Sequence, residues 1–503
     1  MGAMPATEPA VIAPSGHSPS VWRYVRASRA HVVIDCAAYF ANIREAMLRA
    51  EQQILVIGWD FDTRISLGTG RRWWNVRKRR QFPARIGGFV PWLCHRTKRL
   101  QVYLLKWNFG ALKFVFRGSM VFDLLRWMRH PRITLRLDSA HPLGCSHHQK
   151  IVVIDDCFAV CGGIDITSRR WDTRQHVEAD PRRKGPRGKL YGPWHDLTMM
   201  VEGEAAAALS ELARERWMLS GGKPLAPCAP REGTPWPEKL SAEFRDVEIG
   251  IARTRASHRG SQQVHEIEAL FIEHIRRARH FIYAESQYFA SRAIAEAIAL
   301  RVAEPDPPEI VLINPESAEG WLEQAAMDGA RVQLCHAIGE RDRLNQFRIF
   351  NPYTTGNTPI YVHAKLMIVD DEIIRVGSAN LNNRSLGLDS ECDVFIDAAR
   401  PGNGHAAAAI RRIRLALIAE HCGIEPDQAE AELESHGSMI AMLSARSQAG
   451  KHLAPFVLRD LTEAEKAVAD NALLDPERPE DMFEPISRRR GLFRKGGILR
   501  RPK

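Results

Sequence analysis

Two stretches of this chain carry the same polar residues at the same spacing. One, SHHQKIVVIDDCFAVCGGID, begins at Ser146; the other, YVHAKLMIVDDEIIRVGSAN, begins at Tyr361. They align without a gap: His148 with His363, Lys150 with Lys365, Asp155 with Asp370, Asp156 with Asp371 and Gly162 with Gly377. In each, H-x-K opens a run of strand formers, IVVI or LMIV. Residues i and i+2 of a strand project from one face, so the His and the Lys point the same way. The Asp pair then ends the strand as a turn. The Gly, seven residues after the first Asp, begins a small, polar stretch beside the His.

A lone H-x-K reads as ordinary polar surface. Two copies at matched places in one chain gather two imidazoles and two ammonium groups around one point. That set suits a phosphodiester. The lysines neutralise the non-bridging oxygens. One neutral His attacks phosphorus and carries it as phosphohistidine, while the other, protonated, gives its proton to the leaving alcohol and then activates the acceptor. Opposite protonation states imply a bell-shaped pH profile. This chemistry needs no cofactor and no metal, and no carboxylate cluster suited to a metal stands out in the sequence.

The elements that must position these residues occur twice. Tyr39, Phe40, Ile43 and Met47 recur at helical spacing and precede the apolar run ILVIGWDFD; Ile267, Leu270, Phe271 and Ile275 do the same before HFIYAESQYF. LQVYLLKW and PPEIVLINP follow as further buried strands. Helix then strand, twice per half, predicts α/β layers and an internal duplication. The Pro- and Gly-rich segment at 221–239 marks the join. The expected organisation is a flexible arm over 1–30, a domain over 31–220, a linker over 221–247, a second domain over 248–425, and a helix with a disordered basic tail over 426–503.

At 503 residues the chain suits two domains. No run reaches the ~20 apolar residues of a bilayer span, and the first twenty residues lack a signal-peptide pattern. Nine cysteines, scattered without a C-x-x-C pair, fit reduced thiols in a cytosolic setting rather than disulfides or zinc. The net charge of +10 is uneven. RRWWNVRKRR at 71–80 places six cations around Trp73 and Trp74, and the tail ISRRRGLFRKGGILRRPK holds eight basic residues and no acid. Such runs suit a membrane interface or nucleic acid.

The paired motifs resemble the phospholipase D superfamily. GWDFDTR, GGIDITSRRWDT, YGPWHDLTMMVEG, ESQYFAS, EGWLEQ and RRIRLALIAEHCG extend the resemblance from about residue 30 to 425, toward the phospholipase and transphosphatidylase branch. It implies two α/β/α domains with mixed sheets packed face to face around one shared site. It implies hydrolysis of glycerophospholipids to phosphatidic acid and head-group exchange. Cardiolipin or phosphatidylserine synthesis, a nuclease and a non-catalytic membrane scaffold are the alternatives. Carried over by residue, it makes His148 and His363 the nucleophile and acid/base, with His148 favoured as nucleophile. It makes Lys150, Lys365 and Asn380 phosphate ligands, and Asp155 and Asp370 braces of the strand ends. Asp165 departs from the family pattern at the place equivalent to Asn380. A carboxylate some thirty residues beyond each His orients its ring: Glu391 in the second half, and Asp180 or else Glu178 in the first. The expected partners are a phospholipid and a membrane surface met through 71–80 and 488–503, with the protein cytoplasmic, peripheral and monomeric, and nucleic acid disfavoured.

Other polar residues take plainer readings. His147 faces away from His148. Cys145, Cys157 and Cys161 are thiols without a metal. Trp59, Asp60, Asp62, Glu285, Gln287 and Tyr288 sit at strand ends, where they line the cleft or merely pack. His195 and Asp196 tie strands together, and Glu420 and His421 close a helix.

Overall fold

The computed structural model describes residues 20–68, 70, 81–108, 118–318, 324–448, 450–470, 475–477, 493 and 498–499. In the first half the strands are β1 (Arg23–Ile34), β2 (Gln53–Gly58), β3 (Gln101–Trp107), β4 (Ile133–Asp138), β5 (Ile151–Ile154), β6 (Phe158–Gly162), β7 (Trp194–His195) and β8 (Leu197–Glu202). The helices are α1 (Cys36–Leu48), α2 (Ile86–Arg96), α3 (Met120–Met128) and α4 (Glu204–Leu219). The second half holds β9 (Phe244–Arg255), β10 (Val264–His265), α5 (Glu266–Arg277), β11 (Phe281–Glu285), α6 (Arg292–Val302), β12 (Glu309–Ile313), α7 (Gly329–Gly339) and β13 (Phe347–Tyr353). It continues with β14 (Tyr361–Val362), β15 (Leu366–Val369), β16 (Ile373–Gly377), α8 (Asn383–Gly387), β17 (Glu391–Asp397) and α9 (Ala407–Cys422), and β18 (His452–Pro455) follows later.

The strand order shows the duplication. From one edge the sheet reads β4-β3-β2-β5-β6-β8-β1, and from there β9-β17-β16-β15-β11-β12-β13-β18. Up to β13 the second list reverses the first, so the halves are related by a pseudo-two-fold between β1 and β9. These two strands run antiparallel, with Tyr24 opposite Gly250 and Ala27 opposite Val247. Each is twelve residues long. That length lets β1 pair with β8 through Arg29–Ile34 and with β9 through Arg23–Ala30, so neither half keeps a bare edge at the join.

The half-sheets also meet face to face. One hydrophobic cluster draws Leu55, Ile57, Ile151 and Val153 from the first half and Leu366, Ile368, Val376 and Val394 from the second. The Cys161 thiol of β6 lies 3.3 Å from the Cys392 carbonyl of β17. The expected α/β architecture stands, with the addition that hydrogen bonds run unbroken across the join. α1 and α5 bury the apolar positions that predicted them, Tyr39, Phe40, Ile43 and Met47 in one and Ile267, Leu270, Phe271 and Ile275 in the other.

Two expectations are corrected. The segment 23–30 is not part of a loose arm but the first eight of the twelve residues of the central strand β1. Its arginines obscured the strand; Ala27 and Ala30 turn inward while Arg26 stays exposed. Beyond residue 425 there is more than one helix: Pro426–His436, Met439–Ala445 and Glu463–Asp470 are helical, and β18 pairs with β13. The run 71–80 and most of 488–503 lie outside the described residues. Leu499 is buried in the second half's core and Phe493 packs against it, so these two are not free for a membrane. Residues 221–243, between α4 and β9, hold no helix or strand.

The Asp pairs earn their places through backbone geometry. Asp155, Asp156, Asp370 and Asp371 all adopt positive φ, between 50° and 57°, which Asp tolerates better than most residues. The Asp155 carboxylate accepts the backbone N–H groups of Glu51, Gln52 and Gln53 at 2.8 Å each. Asp370 accepts those of Arg279 at 2.7 Å and of His280 and Phe281 at 2.8 Å. Each carboxylate thus pins the start of the neighbouring strand, β2 or β11, against its own motif strand. Gly162 and Gly377 need to be glycine: an added Cβ would lie 2.4 Å from Thr198 Oγ1 in one case and 1.8 Å from Asp393 Oδ1 in the other.

Asp370→Ala leaves three amides without their charged acceptor. The expected loss is about 2–4 kcal/mol of stability, read as a lower urea midpoint at unchanged slope. Asp370→Asn, which keeps one acceptor oxygen, is expected to lose less. An unchanged midpoint in the alanine variant would show that other acceptors replace it.

Candidate active site

Both motif strands are entered from short pairings with the opposite half. β14 runs parallel to β7, with Tyr361 opposite Trp194 and Val362 opposite His195. His147 bridges Ser390 in the same parallel sense. The next residues along are His363 beside Asp196, and His148 beside Glu391. The His363 amide donates to the His195 carbonyl at 2.7 Å, and the His148 amide to the Ser390 carbonyl at 3.0 Å.

The side chains follow the backbone. His363 Nδ1 lies 2.7 Å from Asp196 Oδ2. His148 Nδ1 lies 2.9 Å from Glu391 Oε1 and 3.0 Å from Oε2. Ser385 Oγ donates to Glu391 at 2.8 Å, and Ser378 Oγ donates as well, so the carboxylate is fixed from behind. Each ring is therefore held by a carboxylate of the other half. This leaves Nε2 of both as the working nitrogen.

The expected orienting pairs are corrected accordingly. Asp180 is spent on Arg182, and Glu178 on Thr354 and Thr358. Glu391 serves His148 rather than the His of its own half. Asp196, read from sequence as a strand tie, holds His363. The signal for it was positional: Asp196 immediately precedes β8 as Glu391 begins β17, and β8 and β17 occupy matching places in the sheet. A longer connection in the first half moved it beyond thirty residues from His148.

Each lysine turns back onto the backbone carbonyl of its own motif histidine. Lys150 Nζ donates to the His148 carbonyl at 2.9 Å and is 3.4 Å from Asp165 Oδ2. Lys365 Nζ donates to the His363 carbonyl and lies 3.4 Å from Gln287 Oε1. Asp165 also caps the backbone N–H of Trp59 at 3.0 Å, so its charge is engaged by a lysine and an amide. Asn380 is buried, and its Oδ1 has no hydrogen-bond partner.

Aromatic rings flank both histidines. Trp59 meets His148 edge-on with centroids 6.2 Å apart and stacks on Trp107. Trp194 tilts over His363 at 5.2 Å and stacks on Tyr361. The Arg170 guanidinium sits 3.8 Å from the Trp194 ring. Gln287 donates to the hydroxyls of Tyr288 and Tyr361 at 2.9 Å each. Asp60 pairs with Lys106, and Asp62 with Arg64. His147 is buried against Ser390, and Cys145 and Cys161 are buried.

The charges act on one another. Burial, then the charges of Lys150 and Lys365, holds His148 well below its ordinary pKa. Burial, then Lys365, Arg170, Lys150 and His148, does the same to His363. The two motifs therefore share one electrostatic environment. Burial raises Glu391 and Asp196 each to about 7, while nearby cations favour their charged forms. Lys365 is pushed down to about 7 by burial, with Asp196 opposing and Lys150 assisting. A cleft so crowded with cations, next to neutral imidazoles, is built to receive an anion.

A sequence profile described as phospholipase D matches residues 348–469. Phospholipase D A of Dictyostelium discoideum is 25% identical over 78% of this chain, covering 35% of that protein. Phospholipase D alpha 1 of Nicotiana tabacum is 26% identical over 76% of this chain and 63% of its own length. The chain thus spans between about a third and two thirds of these relatives. In fold it is similar to phosphatidylserine synthase of Haemophilus influenzae, with a TM-score of 0.51 at 11% identity, covering 84% of this chain and 96% of that one. Duplicated halves, paired motifs and these relatives agree in their likeness to the phospholipase D superfamily.

Proposed function

We propose that this protein is a phospholipase D-type phosphodiesterase that hydrolyses glycerophospholipids to phosphatidic acid and exchanges head groups with alcohols. The observation that carries this reading is the pair of imidazoles, each held at Nδ1 by a carboxylate of the other half and each accompanied by a buried lysine of its own motif. His148 Nε2 attacks phosphorus. The bond to the head-group oxygen breaks, and that oxygen takes the proton from His363 Nε2. His363 then removes a proton from water or an alcohol, whose oxygen attacks phosphorus. The P–N bond breaks and His148 is restored.

Lys150 and Lys365 neutralise the non-bridging oxygens throughout, with Arg170 close to the His363 side. The negative charge of the bound phosphodiester favours protonation of His363, which burial alone opposes. Trp59, Trp107, Trp194 and Tyr361 supply apolar walls suited to a glycerol ester. The names of the relatives support a phospholipid over a nucleic acid. Among the described residues no helix is long and apolar enough to cross a membrane; a peripheral encounter with the lipid is part of this proposal. With Leu499 buried, the run 71–80 is the stronger candidate for that contact.

Incubation with mixed phospholipids and a primary alcohol, read by mass spectrometry, should yield phosphatidyl alcohol, with phosphatidic acid when the alcohol is omitted. Both products should vanish in His148→Ala and in His363→Ala. Intact lipids beside cleavage of bis(p-nitrophenyl) phosphate would keep the chemistry and remove the lipid assignment. Asp196→Asn is expected to lower kcat by about 10²–10⁴-fold, whereas Asp180→Asn should leave it near the parent value; the reverse order would contradict the pairing. The Lys365 charge is present below pH about 7 and lost above it, so kcat/KM should decline through that pH. Lys365→Arg, which stays charged, should move the decline to higher pH, and an unmoved limb would assign it to another group.

A further inference from the structure

Behind the His363–Asp196 pair lies a second group of ionisable side chains that the phosphodiester chemistry does not use. Asp35 follows β1, His176 lies in the connection before β7, His195 ends β7, and Glu420 sits near the end of α9. All four are buried, His195 completely. One nitrogen of each ring faces an outer carboxylate: His176 Nδ1 is 2.9 Å from Asp172 Oδ2, and His195 Nε2 is 2.8 Å from Glu285 Oε2. The other nitrogens converge on the same two carboxylates. His176 Nε2 is 3.1 Å from Glu420 Oε1 and 3.5 Å from Asp35 Oδ2. His195 Nδ1 is 3.0 Å from Glu420 Oε1 and 3.2 Å from Asp35 Oδ1.

A neutral imidazole has one N–H, and here each outer carboxylate takes it. The inner nitrogens then present lone pairs to carboxylate oxygens in a dry interior. Something positive must lie between them: a second proton on each ring, or one divalent cation in place of both. His195 Nδ1 and Asp35 Oδ2 decide the reading. Both are buried and face the common point, and neither meets hydrogen-bond geometry with the ionisable atoms 3.0–3.5 Å away. The geometry suits a shared ion instead. The four ligand atoms lie within 4.8 Å of one another. Tetrahedral N and O ligands at ~2.0–2.1 Å from zinc stand about 3.3–3.4 Å apart, inside the spread of the distances seen here. Metal-binding histidines characteristically give their other N–H to a carboxylate, the role Asp172 and Glu285 hold.

We propose that Asp35, His176, His195 and Glu420 bind one divalent transition cation of the zinc class. All four ligands are protein groups, with no position left for water or substrate, so the site is structural. Arg183 on Asp172, Arg174 on Glu420 Oε2, and Lys451, which donates to the Arg174 carbonyl, balance the surrounding carboxylates. The ion ties α9 of the second half to three residues of the first. It also fixes His195, whose carbonyl accepts the His363 amide. His421, which shares Glu285 with His195, stands outside the four.

The full chain is purified from cells grown with added zinc, manganese or cobalt, and its metal content is measured by mass spectrometry. One tightly held ion per chain is expected, with the visible ligand-field bands of tetrahedral cobalt in the cobalt-grown protein. His176→Gln and Asp35→Asn should lose the ion. A protein that holds only traces of metal, before and after refolding with each cation, would overturn the proposal and leave the inner nitrogens protonated. Metal retained at full content in both variants would overturn it as well. Should the variants fail to fold, the cobalt spectrum of the parent decides: octahedral or absent bands reject the site. None of these readings depends on phospholipase activity.

Discussion

His363 stands on a strand of the second half, and the carboxylate that holds its ring stands on the first. His148 is held the other way round, by Glu391. A buried imidazole needs an acceptor for its N–H, and a buried carboxylate needs donors. Here each half supplies the carboxylate that the other half's imidazole needs. Most of the architecture follows from bringing the two halves close enough to exchange these partners. β1 and β9 are long because each must serve its own sheet and the other's. β7 and β14 pair because Asp196 and His363 must lie side by side. The core that unites β5 and β6 with β15 and β16 keeps the two H-x-K strands at a fixed separation.

That arrangement concentrates positive charge in an apolar setting. Two lysines and Arg170 lie among rings that burial keeps neutral. Asp165, Glu391 and Asp196 offset much of the charge without filling the cleft. Such an environment is costly while empty and favourable when an anion arrives, which is the condition for stabilising a transferring phosphoryl group. The carboxylates are equally constrained. Glu391 keeps its place through Ser378 and Ser385, and Asp196 through the amide of Leu197. Small shifts in these supports would turn a ring away from phosphorus.

The motif residues, the duplication and the layer type were legible in the sequence because they rest on short-range patterns. H-x-K fixes a strand face, Asp-Asp accepts positive φ, and apolar spacing separates helix from buried strand. What crosses between halves was not legible. Glu391 was found but assigned to the wrong ring, since spacing along one chain cannot show that two strands exchange partners. Asp196 was read as a strand tie because the first half carries a longer connection than the second. Arg23–Ala30 looked like a polar arm, because a strand at the join exposes one face to water. Asp35, His176, His195 and Glu420 come from four separate places in the chain and share no local pattern.

The exchange of partners is the central claim, and ring-nitrogen NMR of protein labelled with ¹⁵N-histidine tests it most directly. Signals of His148 and His363 are assigned by substituting each in turn. Glu391→Gln should then shift the nitrogens of His148 and leave those of His363 near their parent positions, and Asp196→Asn should do the opposite. If Glu391→Gln instead moves His363 and spares His148, each half orients its own histidine and the account of a composite site is wrong.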